Sequence, residues 1–160
     1  LARYVTAIAN KGTVYDLTLL NKVATVDGKV VKEYKPEVAN ELTEVSDSTW
    51  NAVHNGMRNV VYISHSSSFT ELNRSDVKLS GKTGTAQQSK THANHALFVG
   101  FAPSDNPEIA FATRIANGYS STYACEIARD VMKYYYEIAP EDEIITGEAA
   151  TLSENASSEG

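Results

Sequence analysis

With 160 residues and 42% hydrophobic content, the chain has the length and apolar share of one domain with a real core, which excludes wholesale disorder. A formal charge of −6 argues against nucleic acid as the main partner, because phosphate binding needs a basic face. No apolar run approaches the length of a membrane span and no signal peptide opens the chain; Leu1 falls inside a helical pattern, so a piece of a longer protein is expected.

Residues 1–10 place Leu1, Val5, Ile8 and Ala9 at helical spacing, with Tyr4 beside them. Asn10-Lys11-Gly12 supplies the stop, with Gly12 as the candidate left-handed cap. Residues 17–26 and 29–34 read as two strands joined by Asp27-Gly28, a hairpin dipeptide because its turn needs positive φ. Lys35-Pro36-Glu37 ends that hairpin, and a polar connection leads to Ser46 or Asp47, either suited to cap a helix over 48–61. In that helix Trp50, Val53, Met57, Val60 and Val61 fall at three- and four-residue steps and predict a core face. His54, next to this face, reads as a packing residue rather than a catalytic base. Residues 63–74 are serine-rich and aperiodic, which predicts a surface loop.

Val77-Lys78-Leu79-Ser80 alternates apolar and polar, as a half-buried strand does, and continues into Gly81-Lys82-Thr83-Gly84-Thr85-Ala86-Gln87. Two glycines in a strand weaken it unless another backbone must come close. With Gly84 bare, an extended peptide fits along this edge through main-chain hydrogen bonds, Lys82 brings positive charge, and the hydroxyls of Thr83 and Thr85 suit a carboxylate. These properties describe a site for a peptide with an anionic end. Gly81-Lys82-Thr83 also matches the end of a phosphate loop, but that motif needs a glycine where Asp76 stands and a helix where Gly84 and Thr85 continue a strand.

Residues 88–94 form a polar connection. His92 and His95 have a metal-compatible spacing, yet no helix pattern holds them and no nearby cysteine or acid completes a set, so no metal site is expected. Residues 95–102 read as the next strand, and Pro103-Ser104-Asp105-Asn106-Pro107 as a dense turn. Residues 108–116 read as a third strand, apolar enough to be central and buried, broken by Asn117-Gly118. A closing helix over 123–138 places Ile127, Val131, Tyr134, Tyr135 and Ile138 on its apolar face. Cys125, the only cysteine, sits among helical apolar residues and reads as a packed thiol; no intrachain disulfide is possible. The expected class is α+β: an antiparallel sheet, made of a three-strand meander plus a hairpin, packed against helices over residues 1–139, with an acidic, disordered tail over 140–160.

The ordered set Gly81-Lys82-Thr83-Gly84-Thr85-Ala86-Gln87, then His95 to Pro103, then Asn106-Pro107-Glu108-Ile109-Ala110 resembles the transpeptidase domain of class B penicillin-binding proteins. Ala7-Ile8-Ala9-Asn10 with Gly12, the Asp27-Gly28 hairpin and Gly56-Met57-Arg58-Asn59-Val60-Val61 extend the resemblance over most of the first 136 residues. It implies an incomplete penicillin-binding fold and D,D-transpeptidation of peptidoglycan stem peptides ending in D-Ala-D-Ala. A serine attacks the penultimate carbonyl, terminal D-alanine leaves, and an amine from a neighbouring strand resolves the acyl-enzyme; β-lactams acylate the same serine. The resemblance gives Lys82 a role in proton transfer and carboxylate attraction, Thr83 and Thr85 the carboxylate itself, and the Thr85 backbone N–H half of an oxyanion hole, with no cofactor. It further implies a parent anchored at the extracytoplasmic face of a bacterial membrane, working beside other cell-wall synthesis proteins. A β-lactam sensor or a non-catalytic penicillin-binding module of the same fold is the alternative.

The family also needs S-x-x-K and S-x-N upstream of K-T-G. Ser75-Asp76-Val77-Lys78 spells the first but leads straight into the lysine strand, whereas a nucleophile must face that strand across a cleft. Ser104-Asp105-Asn106 lies after K-T-G in a turn, and Ser153-Glu154-Asn155 lies in the tail. The nucleophile is therefore expected before Leu1, the fragment alone is expected to be inactive, and loss of an upstream half is expected to expose apolar surface that favours dimerisation.

Overall fold

A three-strand antiparallel meander with helices on both faces carries the site, and the computed structural model describes residues 1–145 around it. The chain opens with helix α1 (Ala2–Ala9), which buries Val5, Ala7 and Ala9 and leaves Leu1 and Tyr4 exposed. Its stop is a Schellman turn in which Lys11, not Gly12, takes the left-handed conformation (φ 53°). The Gly12 N–H donates to the Ala7 carbonyl at 2.9 Å, and the Lys11 N–H to Ile8 at 3.0 Å. Gly12 has φ 116° and lies against Leu42 and Trp50, so it is needed one position later than expected.

The hairpin region holds two small sheets instead of one. Strand β1 (Thr13–Asp16) pairs antiparallel with β4 (Glu37–Glu41), and between them β2 (Lys22–Ala24) pairs with β3 (Val30–Glu33) around Gly28 (φ 86°). The Asp27-Gly28 turn stands as expected, but residues 17–21 are not strand and the polar run after Pro36 is. The outer pair forms because the hairpin brings a mostly half-buried segment and an exposed one back alongside each other, a long-range pairing with little periodicity to announce it.

Helix α2 (Asp47–Asn59) starts at Ser46, whose hydroxyl accepts the Thr49 N–H at 3.3 Å, and buries Trp50 and Met57. A single π-helical turn, Val60–Ser64, carries Val61 fully into the core. The segment expected to be a surface loop contains helix α3 (Thr70–Arg74), and Phe69 and Leu72 are fully buried. Two large apolar side chains three residues apart anchor it from within, which outweighs its serine-rich composition.

Strands β5 (Ser80–Ala86), β6 (His95–Ala102) and β7 (Ile109–Ile115) form the expected meander in the order β5-β6-β7. Strand β7 was expected to be central; among the described residues it is the far edge and only half-buried. Helix α4 (Ser121–Tyr135), capped by Ser120, lies across one face of the meander. It buries Ala124, Cys125, Ala128, Met132 and Lys133 and leaves Ile127, Val131, Tyr134 and Tyr135 exposed, the reverse of the apolar face read from side-chain size. Small residues let the helix approach the sheet closely, and that selects the buried side. The core on this face joins Phe69, Leu79, Phe98 and Ala128; on the opposite face Val5 and Met57 pack on Phe101. His54 belongs to this second core: its Nε2 bonds the Ile8 carbonyl at 2.7 Å and its ring lies 4.8 Å from Phe101. A short helix α5 (Glu141–Ile144) occupies the start of the segment expected to be disordered; residues 146–160, including Ser153-Glu154-Asn155, lie outside the described residues.

Candidate active site

Lys82, Thr83, Gly84 and Thr85 lie together on β5, whose one side pairs with β6 and whose other side has no strand among the described residues. An edge strand presents unpaired main-chain N–H and C=O groups, the requirement for adding an extended peptide. Side chains alternate between faces. The register pairs Lys82 with Val99 and Ala112, and Gly84 with Leu97 and Arg114, so these six share one face. Thr83 pairs with Phe98 and Thr85 with Ala96, on the α4 side. Lys82 and the two threonines thus emerge on opposite faces of one strand. Only a ligand lying along the edge itself touches both.

Helix α1 covers the Ser80 end of the Lys82 face, through Phe101, Val99 and Ala110, and leaves the other end open, where Lys82, Ala112 and Arg114 are exposed. The Lys82 ammonium donates to the Thr83 carbonyl at 3.0 Å. A ligand carboxylate at the edge would be a stronger, charge-assisted partner for it.

Three features hold the strand in place, and the sequence reading missed their roles. Gly81 and Gly100 face each other across β5 and β6; a Cβ on Gly81 would stand 2.2 Å from Phe98, and one on Gly100 2.6 Å from the Ser80 carbonyl. The hydroxyls of buried Ser80 and Ser104 bond at 2.8 Å, tying the strand's start to the turn after β6. At the strand's exit, the Asn117 N–H donates to His95 Nδ1 at 3.0 Å, which leaves the hydrogen on Nε2 to bond Gln88. His95 is thereby a structural clasp between the end of β5 and the turn after β7. Arg114 was missed because its strand read as a mainly apolar run, and its place on the Lys82 face follows only from the cross-strand register.

The two serine motifs inside the described residues are otherwise engaged. The Ser75 hydroxyl donates to the Leu72 carbonyl at 2.7 Å and accepts the Val77 N–H, while the Lys78 ammonium donates to the carbonyls of Asn73 and Ser75. Ser104 faces Ser80, and Asp105 pairs with Arg58 at 3.2 Å. Neither serine stands against Lys82. A cavity of about 490 Å³ opens at the exit of β5, between Gln88, His92, His95, Arg114 and Asn117. A second, of about 430 Å³, lies at the opposite end of the sheet beside Lys11, His54 and Asp105.

Residues 1–133 match the family model of the penicillin binding protein transpeptidase domain. The peptidoglycan D,D-transpeptidase MrdA of Haemophilus influenzae is 28% identical over 151 residues, covering 84% of this chain and 23% of that protein. Penicillin-binding protein 2A of Bacillus subtilis is 32% identical over 157 residues, covering 86% and 22%. Among solved structures, the D,D-transpeptidase domain of a peptidoglycan glycosyltransferase from Eggerthella lenta superposes with a TM-score of 0.67 at 28% identity, over 86% of this chain and 31% of that one. Penicillin-binding protein A of Mycobacterium tuberculosis, as an imipenem acyl-enzyme, shares the fold with a TM-score of 0.71 at 23% identity, over 84% and 29%. The chain spans less than a quarter of the length of these two curated relatives. With a mixed fold, an antiparallel meander and K-T-G on its edge, the chain belongs to the penicillin-binding protein transpeptidase family, on its class B branch.

Proposed function

We propose that this chain supplies one wall of the active site of a peptidoglycan D,D-transpeptidase, with the nucleophilic serine carried by sequence before Leu1. The observation that carries the reading is the exposed β5 edge, with Lys82 on one face and Thr83 and Thr85 on the other, while Ser75 and Ser104 bond elsewhere and the Lys82 ammonium bonds the Thr83 carbonyl. A stem peptide ending in D-Ala-D-Ala adds to that edge as an extended strand. Its terminal carboxylate is held by the hydroxyls of Thr83 and Thr85 and by the charge of Lys82. The scissile carbonyl points at the Thr85 N–H, which stabilises the oxyanion; losing one such donor costs about 2.7–4 kcal/mol. The serine oxygen bonds to the penultimate carbonyl carbon, the peptide nitrogen takes a proton as D-alanine leaves, and an amine of a second stem peptide then displaces the serine.

β-Lactams, which mimic the acyl donor, acylate the same serine. The substrate lies outside the cytoplasmic membrane, so we place the protein there. No helix among the described residues is long and apolar enough to cross a membrane.

Intact-mass measurement after exposure to benzylpenicillin tests the reading. The full-length protein gains one penicilloyl group, Lys82→Ala slows that acylation at least a hundredfold, and the 160-residue chain alone gains nothing. A stable adduct on the isolated chain overturns the assignment of the nucleophile.

A further inference from the structure

We infer that Arg114 and the cavity at the exit of β5 form a subsite for a side-chain carboxylate on the stem-peptide residue that precedes the D-Ala-D-Ala pair. The inference rests on the proposed function and extends it to the choice of donor. Direction comes first. With the terminal carboxylate at Thr83 and the scissile carbonyl at Thr85, the peptide runs antiparallel to β5. Its upstream residue therefore lies beside Ala86 and Gln87. One more residue of strand, about 3.4 Å, brings it to Gln88, where the cavity of about 490 Å³ begins.

Charge comes second. The polar lining of the cavity is Gln88, Ser89, His92, His95, Arg114 and Asn117, with no aspartate or glutamate. Arg114 is exposed and takes part in none of the ion pairs among the described residues. The register sets it on the Lys82 face, two strands, or about 10 Å, in from Gly84. Its forked guanidinium matches a carboxylate bidentately. A donor whose third side chain ends only in an ammonium meets a like charge there instead. His95 is already committed to Asn117 and Gln88, so it shapes the wall and leaves Arg114 as the recognising group.

The test uses the full-length protein and two acyl donors that differ only in the third side chain: diaminopimelate, with a carboxylate and an ammonium, against lysine, with an ammonium alone. D-Alanine release gives kcat/KM for each. Wild type is expected to favour the diaminopimelate donor at least tenfold. Arg114→Leu lowers kcat/KM for that donor about ten- to a hundredfold and spares the lysine donor, as loss of one charge-assisted contact predicts. Arg114→Glu inverts the preference. Equal use of the two donors by wild type, or a preference that survives in Arg114→Leu with an unchanged Tm, overturns the subsite. Penicillin acylation of the wild type separates the two readings: acylation without donor discrimination removes the subsite alone, and no acylation removes the proposed function and the subsite with it.

Discussion

Gly81 lies under the ring of Phe98, so close that a Cβ on Gly81 would stand 2.2 Å from Cζ of the ring. The first glycine of K-T-G's neighbourhood therefore serves the core, because the Phe98 ring covers it while packing on Phe69 and Phe111. Gly84 differs: a Cβ there meets only Leu97, at 3.3 Å, on the face shared with Lys82. Gly81→Ala is expected to destabilise the fold by about 1–3 kcal/mol, read as a lower urea midpoint at unchanged m. Gly84→Ala is expected to cost less than about 1 kcal/mol and yet to slow penicillin acylation of the full-length protein, since the added methyl stands on the Lys82 face of the strand along which the ligand lies. Equal effects of the two substitutions on stability would remove this division of roles.

The Glu71–Lys133 pair fastens α3 to α4. Lys133 is buried while the Glu71 side chain keeps 60% of its surface exposed, so the carboxylate is screened and the pair's value lies mainly in not leaving the ammonium unpaired. The hydrogen bond from Lys133 holds the Glu71 carboxyl below the usual carboxylate range. A depressed folded pKa contributes stability above the unfolded value of about 4.3, and that contribution is lost as pH falls through the folded pKa. Glu71→Gln should therefore lower stability at pH 7 by roughly 1–2 kcal/mol. The gap to wild type should narrow as pH falls below the unfolded value and close once it passes the lower folded pKa, in paired denaturation curves. Lys133→Met, which keeps the stem packed, should cost less than Glu71→Gln.

Much of the site was legible in the sequence because it is local. Alternation along residues 77–86 and 95–102, with a turn at Pro103 to Pro107, fixes the meander and places Lys82, Thr83, Gly84 and Thr85 on one strand. What escaped depends on contacts between distant segments. The β1–β4 pair joins a mostly half-buried run and an exposed one across 20 intervening residues, and Phe69 and Leu72 are too few to show a period. In α4, the bulk of Ile127, Val131 and Tyr134 outweighs Ala124 and Ala128 in any hydropathy reading, although the sheet selects the small side. Arg114 was hidden, beside Thr113, in a strand that is otherwise apolar, and only the register with Gly84 reveals which face it takes.

Burial pushes the Cys125 thiol up to about 11, with the charge of Glu126 adding to the shift. The side chain is fully enclosed between α4 and the sheet. A rise of that size leaves on the order of a hundredfold less thiolate at pH 8 than an ordinary thiol has. Iodoacetamide should label native protein at least a hundredfold more slowly than urea-unfolded protein. Labelling at the unfolded rate under native conditions would show that α4 opens readily.

The outer side of α4 carries Tyr123, Ile127, Val131 and Tyr134, which are 41–60% exposed and spaced by four, four and three residues, so they form one continuous apolar face. A patch of this kind is uncommon on a monomer and favours association. The 160-residue chain made alone is expected to scatter light above its monomer mass of 17.4 kDa. Ile127→Lys and Val131→Lys together should return it to monomer with little change in Tm, because both side chains are already half in water. Leu19→Lys with Val26→Lys is the control. Those side chains are fully exposed on and beside the hairpin and lie outside α4, so the mass should not change. A monomeric wild-type chain, or a hairpin variant that dissociates as the helix variant does, would rule out the α4 face as the contact.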